Sequence, residues 1–231
     1  MPLLKDSLAA ATYASGIFAG GGANQHQRDN INSFIGSVYR AHNFGQLFQG
    51  YYGLTGQLGN YTVKPYTIDP LSSYYNLDDS VINARSGNKF FGGLGLSGGI
   101  NIVKSFNGGE WRAAMFEVSW MQEFGEYKSF RKNLPDTVAN LIDKHGNYMT
   151  FAFGTELLIA LRNGSTGFKF TRVFYPRTLP RSEEDKNKEA WPGYLSMTFH
   201  VTVNRITGFG QLNFGTHAIG SQLGINCRIS K

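Results

Sequence analysis

The stretch at positions 148–162, YMTFAFGTELLIALR, alternates between apolar and polar residues and therefore decides the fold class. The polar set is small or hydrophilic in most positions and includes Glu156 near the middle of the stretch. The other set is apolar except for one threonine and consists of Met149, Phe151, Phe153, Thr155, Leu157, Ile159 and Leu161. Because successive side chains of a strand point to opposite faces, this pattern predicts a β-strand with one apolar and one polar face. Its length suits a strand that crosses a lipid bilayer at a tilt.

The same alternation recurs in other stretches, most clearly at 90–104 and 194–204. In the second of these, Phe199 and Val201 lie on the apolar face and His200 lies on the polar face. The polar faces are rich in glycine, serine, threonine, asparagine and glutamine, and they lack the lysine and glutamate that cover a water-exposed sheet. Since small residues fit the cramped interior of a small barrel, we expect the polar faces to line a lumen and the apolar faces to form the exterior.

Short turns and long polar segments alternate between the predicted strands. The turns are predicted near positions 41, 107 and 164, and the three longest loops are predicted at 59–89, 125–147 and 176–193. Short turns at one rim and long loops at the other are typical of outer-membrane barrels. The strand number stays open at eight, nine or ten, because 8–20 is either a strand or an N-terminal segment and 205–229 is either one strand or two.

The sequence therefore predicts an all-β fold with a single domain. This domain is one antiparallel up-and-down β-barrel of 8–10 strands, apolar outside and polar in the lumen, with three long rim loops. Residues 31–229 form the barrel in this prediction, and residues 1–30 form an N-terminal segment or the first strand. Aromatic residues recur near the predicted strand ends, among them Tyr52, Trp111 and Tyr194, as expected for the interfacial girdles of a membrane barrel.

Composition argues against several other classes of protein. No apolar run approaches the roughly 18 residues that a membrane-spanning helix needs. The single cysteine, Cys227, excludes an internal disulfide and a cysteine-based zinc site. The histidines show no metal-ligand spacing and the glycine-rich runs lack the residues of a phosphate-binding loop, so we expect no cofactor. The net charge of +6 is scattered along the chain, which argues against nucleic acid as a partner.

Two segments carry a resemblance to a known family. The first is GGLGLSGGINIV at 92–103, which precedes a turn, and the second is HAIGSQLGINCRI at 217–229. Together with the strand pattern of 31–229, they resemble the small outer-membrane barrels of Gram-negative bacteria, the OmpA/OmpX-like superfamily, in the style of the Bacteroidetes. The resemblance implies an integral protein of the bacterial outer membrane that is in contact with outer-membrane lipids.

The predicted strand faces and loops place the candidate functional residues in three groups. The lumen is expected to hold a polar network formed by Arg112, Glu117, Glu123, Glu156, His200 and Asn204. A buried charge is costly unless it is paired, so salt bridges that plug the barrel are favoured over a narrow polar channel or a catalytic carboxylate pair. The lipid-facing set is Phe151, Phe153, Leu157, Phe199 and Val201. The loop contact surface is Tyr74, Tyr75, Arg131, Arg181, Glu184 and Trp191.

A barrel of eight to ten strands is too narrow for a solute pore, which moves the predicted function to the loops. The sequence predicts a non-enzymatic outer-membrane β-barrel that acts as an accessory or structural subunit of an envelope protein complex, or as a surface-contact protein. One alternative is a soluble lipocalin-like barrel that binds a small apolar ligand. A second alternative is an outer-membrane lipid-modifying enzyme, because the run His200-Val201-Thr202-Val203-Asn204 is similar to the His-x-Ser-Asn strand of outer-membrane lipid A deacylases.

Overall fold

The computed structural model describes residues 9–23, 29–45, 47–64, 86–134, 144–176, 193–215 and 218–230. These residues form ten strands and one short helix, α1 (Glu126–Lys132). The strands are β1 (Ala10–Ala23), β2 (Asn30–Phe44), β3 (Phe48–Val63), β4 (Gly87–Phe106), β5 (Gly109–Phe124), β6 (Asn147–Leu161), β7 (Gly164–Phe174), β8 (Gly193–Val203), β9 (Ile206–Gly215) and β10 (Ala218–Ser230). In these ranges no helix has the length and hydropathy that crossing a membrane would require.

The ten strands close into a single barrel. Each strand pairs antiparallel with its neighbours in sequence, and β1 pairs with β10. The predicted antiparallel up-and-down barrel is therefore confirmed, with the upper value of the expected strand number. The stretch 8–20 contributes to the first strand, and 205–229 divides into β9 and β10. Closure removes the two open edges that a sheet otherwise exposes.

The two rims of the barrel differ. At one end, which we name the short-turn rim, the strands are joined by brief connections at 45–47, 107–108, 162–163 and 204–205. Both described chain ends lie at this rim, because Ala10 pairs with His42 and Thr12 pairs with Ser230. The opposite end, the long-loop rim, carries α1. The first predicted loop, 59–89, is too long, because β3 continues to Val63 and β4 begins at Gly87. The second, 125–147, contains α1. The conformation of 65–85, 135–143 and 177–192 lies outside the described residues and stays a prediction.

The first predicted turn, near position 41, is wrong. Strand β2 continues through this position to Phe44, and the chain turns at Gly45, whose φ of 80° is left-handed. Glycine adopts such a φ without steric cost. The ring of His42 stacks on those of Phe44 and Tyr52, with centroids 6.0 and 5.7 Å apart. These ring contacts hold β2 and β3 together past position 41, where the sequence predicts the turn.

The exterior of the barrel is apolar and its interior is polar. Leu54, Leu94 and Leu223 are 64%, 65% and 68% exposed, while Arg112 and Glu156 are 0% and 2% exposed. A water-soluble protein has the reverse distribution, with most of its large apolar side chains buried and its charged side chains exposed. The predicted arrangement of apolar outside and polar lumen is thus confirmed by the structure.

A β-bulge in β5 sets the direction of one functional side chain. Val103 of β4 pairs with Arg112, and the preceding Ile102 pairs with Ala114, so Ala113 is the extra residue. A bulge of this kind shifts the alternation of the strand by one position. As a result Arg112 faces the lumen together with Glu117, although strict alternation would place these two residues on opposite faces.

Candidate functional site: the barrel lumen

A cluster of charged side chains from β5, β6 and β8 lies on the lumen side of the barrel wall. The Arg112 guanidinium donates from Nη1 to Glu156 Oε2 at 2.6 Å and from Nε to Glu110 Oε1 at 3.0 Å. On the other side of Glu156, the Nε2 atom of His200 lies 2.9 Å from Oε1. Neither ring nitrogen of His200 makes a hydrogen bond of good geometry among the described residues. The cluster therefore links β5, β6 and β8 through a single buried carboxylate.

A second ion pair lies beside this cluster. Lys169 on β7 is the direct cross-strand partner of Glu156 on β6. Its ammonium nevertheless donates to Glu117 Oε1 on β5, at 2.6 Å. Arg112 is shared by Glu156 and Glu110, and Lys169 pairs with Glu117. Each of these inward carboxylates therefore contacts a cation, which offsets its desolvation cost.

Two glycines let long side chains reach across a strand. Gly167 on β7 is the register partner of His200, and a Cβ at this position would lie 2.6 Å from His200 Nε2. The imidazole therefore crosses β7 above Gly167 to reach Glu156. Similarly, a Cβ at Gly99 would lie 2.6 Å from the ring of Tyr51. Glycine in a strand often marks such a close approach, and at these two positions it leaves room for the longer side chain.

Hydroxyl and amide groups that bond to one another line other parts of the lumen, together with apolar side chains such as Ile35 and Phe209. Ser37 and Thr55 share a hydrogen bond of 3.0 Å, and the hydroxyl of Thr198 donates to Gln211 at 3.0 Å. A cavity of about 300 Å³ lies among these side chains and the ion pairs. Within the described ranges, no three His, Cys, Asp or Glu side chains come together as metal ligands would. Chemically, the arrangement is suited to cross-linking the barrel wall through charge.

The structure brings together four of the six residues that the sequence placed in the lumen network, namely Arg112, Glu117, Glu156 and His200. Asn204 lies instead in the turn between β8 and β9, exposed and with a φ of 56°. Its position departs from the expectation because β8 ends at Val203, one residue earlier than predicted. Glu123 faces inward but lies at the long-loop rim, where it pairs with Arg131.

Two members of the charge network, Glu110 and Lys169, were missed by the sequence reasoning. Glu110 sits on the far side of the bulge, where the alternation of β5 is out of phase with the rest of the strand. Lys169 could have been found, because it shares its face with Gly167 and Thr171 and is flanked by the apolar Phe168 and Phe170. A lone charge in the polar set of a strand is the same signal that singled out Glu156.

The side chains predicted to face lipid lie on the outside of the barrel. Phe153, Leu157, Phe199 and Val201 are all exposed. Phe151 is partly covered, because its ring stacks on that of Phe116 with centroids 6.2 Å apart. Phe153 and Phe199 do not meet inside a core, which is the arrangement that a soluble barrel with an apolar interior would require.

At the long-loop rim, α1 packs against the inner ends of β3, β4 and β5. The ring of Tyr127 stacks on Tyr61 with centroids 4.3 Å apart, and Arg131 lies 4.7 Å above the Tyr127 ring while it bonds to Glu123. Burial here raises the pKa of the Tyr127 hydroxyl. Arg131, predicted as a loop contact residue, is therefore engaged within the chain. The other predicted contact residues lie outside the described residues and are Tyr74, Tyr75, Arg181, Glu184 and Trp191.

Several of the aromatic residues near strand ends also point inward. Tyr148, Tyr175 and Tyr194 form a row inside the long-loop rim, with successive ring centroids 6.4 Å apart. Fewer of the predicted aromatic residues therefore lie on the outside of the barrel than expected. Tyr52 and Trp111 remain among the exposed side chains. The difference follows from the alternation, since the inward tyrosines share a face with Glu156 and His200.

No family model matches the chain, and no curated protein matches its sequence. Among solved structures, the transport unit of the autotransporter AIDA-I from Escherichia coli aligns with a TM-score of 0.48 and 12% identity, covering 99% of this chain and 93% of that one. The translocator domain of autotransporter NalP from Neisseria meningitidis aligns with a TM-score of 0.44 and 9% identity, covering 97% and 90%. The COG4313 outer membrane channel from Pseudomonas putida F1 aligns with a TM-score of 0.44 and 7% identity, covering 98% and 99%. Similarity at this level assigns no function, which must be argued from the chain's own residues.

Proposed function

We propose that this chain is a non-enzymatic, integral β-barrel of the bacterial outer membrane that serves as an accessory or structural subunit of an envelope protein complex, or as a surface-contact protein. The observation that carries the proposal is the inversion of burial, with exposed leucine and phenylalanine outside and charged residues buried inside. Such an inversion is stable where the outer surface meets hydrocarbon and the lumen meets water or its own polar groups.

The height of the apolar band supports a transmembrane position. On β4, exposed apolar side chains run from Phe90 to Ile102, twelve residues apart. With a rise of about 3.3 Å per residue and a strand tilt of about 40°, this distance spans roughly 30 Å along the barrel axis. The hydrocarbon core of a bilayer is about 30 Å thick, so the band matches what a membrane would cover.

Two features support a barrel that is held closed and does not conduct solutes. Ion pairs project into the lumen from β5, β6 and β7, and a cavity of about 300 Å³ lies beside them. A ten-stranded barrel is narrow compared with the 16- to 18-stranded porins. We therefore expect the loops to make the functional contacts. The mixed charges of 176–193 favour a specific protein partner over attraction to phosphate. Membership of the OmpA/OmpX-like superfamily of the Bacteroidetes is part of this proposal and rests on 92–103 and 217–229.

Neither alternative is favoured by a specific observation. A lipocalin-like soluble barrel would need its apolar residues inside, yet most large apolar side chains of β4 and β8, such as Leu94, Leu96 and Phe199, are exposed. For a lipid-modifying enzyme, His200 is buried in the lumen beside Glu156, and Thr202 is hydrogen-bonded to Thr207 across the hairpin. A lipid substrate on the outside of the wall would not reach this histidine.

Two experiments test the two halves of the proposal. In the first, the unfolded protein is diluted into buffer with or without lipid vesicles, and folding is followed by resistance to protease. We expect a resistant barrel only with lipid, and a monomeric, resistant barrel in plain buffer would contradict the membrane assignment.

In the second experiment, each of 65–85, 135–143 and 177–192 is replaced in turn by an Asn-Gly linker, and proteins that co-purify from membranes are compared. We expect at least one replacement to lose a partner while the barrel stays folded. A matched control inserts the same linker at the short turn 107–108 and should retain every partner. Retention of all partners by all three variants would overturn the contact role of the loops.

A further inference from the structure

The outer surface of the barrel carries a shallow apolar pocket at the short-turn rim. The pocket has a volume of about 400 Å³ and is lined by Lys104, Phe106, Trp111 and Leu157. Lys104, Trp111 and Leu157 are consecutive register partners on β4, β5 and β6, so they form one row around the barrel. The row places one cationic side chain beside two large apolar ones.

Hydrogen bonding and close packing hold the walls of the pocket in place. The indole N–H of Trp111 donates to Thr155 Oγ1 at 2.9 Å, and the same hydroxyl donates to the carbonyl oxygen of Arg112 at 3.0 Å. The ring of Phe106 lies across Gly109, where a Cβ would come within 2.6 Å of it. These contacts also explain why the apolar face of β6 contains a threonine.

The charges on the outside of the barrel are of one sign. The four carboxylates of the described strands, Glu110, Glu117, Glu123 and Glu156, all belong to the inward faces. The charged side chains on the outward faces of these strands are all basic, and they are Arg40, Lys104 and Arg172. Arg40 donates to Thr12 and Arg172 lies over the ring of Phe174, whereas Lys104 is exposed and has no ion-pair partner among the described residues.

We propose that this pocket binds one anionic phospholipid, with the headgroup phosphate on the Lys104 ammonium and an acyl chain against Phe106, Trp111 and Leu157. This inference rests on the proposed membrane position. Charge complementarity favours an anionic headgroup, because the outward strand faces offer Lys104 no carboxylate. A phospholipid is the fitting source of this anionic headgroup, because the short turns of an outer-membrane barrel face the periplasm, where the leaflet is made of phospholipid.

Trp111 provides a local reporter for the test. The chain has three tryptophans, so substituting Trp120→Phe and Trp191→Phe leaves Trp111 as the only one. This protein is placed in lipid nanodiscs, and its fluorescence is titrated with brominated phosphatidylglycerol or brominated phosphatidylcholine. We expect the anionic lipid to quench with an affinity about fivefold higher, which corresponds to about 1 kcal/mol for one lysine at a membrane surface. Lys104→Gln should abolish this preference, and the matched control Arg172→Gln, at the opposite rim, should preserve it.

Each other outcome overturns a defined part of the account. Equal quenching by both lipids in the parent protein overturns the anionic-lipid site and leaves the membrane-spanning barrel standing. A preference that survives Lys104→Gln, or that is lost equally in Arg172→Gln, overturns the assignment to this pocket. Quenching by neither lipid overturns the site and the membrane position together. Protease resistance of each variant in the nanodisc verifies that the barrel is folded before the titration is read.

Discussion

Replacing Arg112 by methionine tests whether the lumen ion pairs are dry and structural. The Arg112 side chain is fully buried and bonds to both Glu110 and Glu156, so its removal leaves two carboxylates without their main cation. Breaking a buried pair by removing one partner costs about 3–5 kcal/mol. We therefore expect the free energy of unfolding of Arg112→Met to fall by about 3–5 kcal/mol. Equilibrium urea titration in lipid vesicles, followed by tryptophan fluorescence, measures this difference.

The second ion pair provides a matched control. The side chains of Lys169 and Glu117 are 14% and 22% exposed, so solvent screens them more than it screens Arg112. Lys169→Met should therefore cost less than Arg112→Met in the same titration. Combining Arg112→Met with Glu156→Leu should recover part of the loss, because a buried pair that is removed whole is often neutral. A cost below about 1 kcal/mol for Arg112→Met, the value of an exposed pair, would refute the reasoning and indicate a water-filled lumen.

Three further predictions follow from single contacts. Phe199→Arg should destabilise the barrel by about 2–4 kcal/mol in the vesicle titration if this face meets lipid, and a neutral effect would contradict lipid contact. Gly167→Ala should cost about 1–3 kcal/mol, because the added methyl would clash with His200 and with the carbonyl oxygen of Leu157. The part of this cost that His200 causes should disappear when His200→Ala is also present, and equal costs in both backgrounds would count against the packing of His200 over Gly167. Thr155→Val should cost about 1 kcal/mol and change the emission of Trp111, and an unchanged spectrum would exclude that hydrogen bond.

Alternation predicted the fold from the sequence because the two faces of each strand meet such different surroundings. The pattern of 148–162 alone placed Glu156 inside and Phe153 outside, and both lie there. A one-residue slip would move every side chain of a strand to the wrong face. The two faces of long strands with strict alternation were therefore the most predictable feature. The pairing of the lumen charges was predictable because an unpaired buried charge is costly.

Features that depend on contacts between distant strands could not be read from local pattern. The bulge at Ala113 reverses the alternation of β5, and its sequence offers only two alanines where a register change occurs. The partner of Lys169 lies two strands away, because Arg112 already holds the nearer carboxylate. The strand number was left open because closure is decided by the pairing of β1 with β10, which are far apart in sequence.

The central claim, that the apolar face of each strand meets lipid, is tested most directly by site-directed spin labelling along β8. Single substitutions Thr198→Cys, Phe199→Cys and Val201→Cys, in a Cys227→Ser background, are labelled with a nitroxide in lipid vesicles. Collision with oxygen, which concentrates in hydrocarbon, is compared with collision with a water-soluble nickel chelate. We predict high oxygen accessibility at positions 199 and 201 and low oxygen accessibility at 198. Accessibility that is uniform along the strand, or highest at 198, would contradict the membrane-spanning barrel.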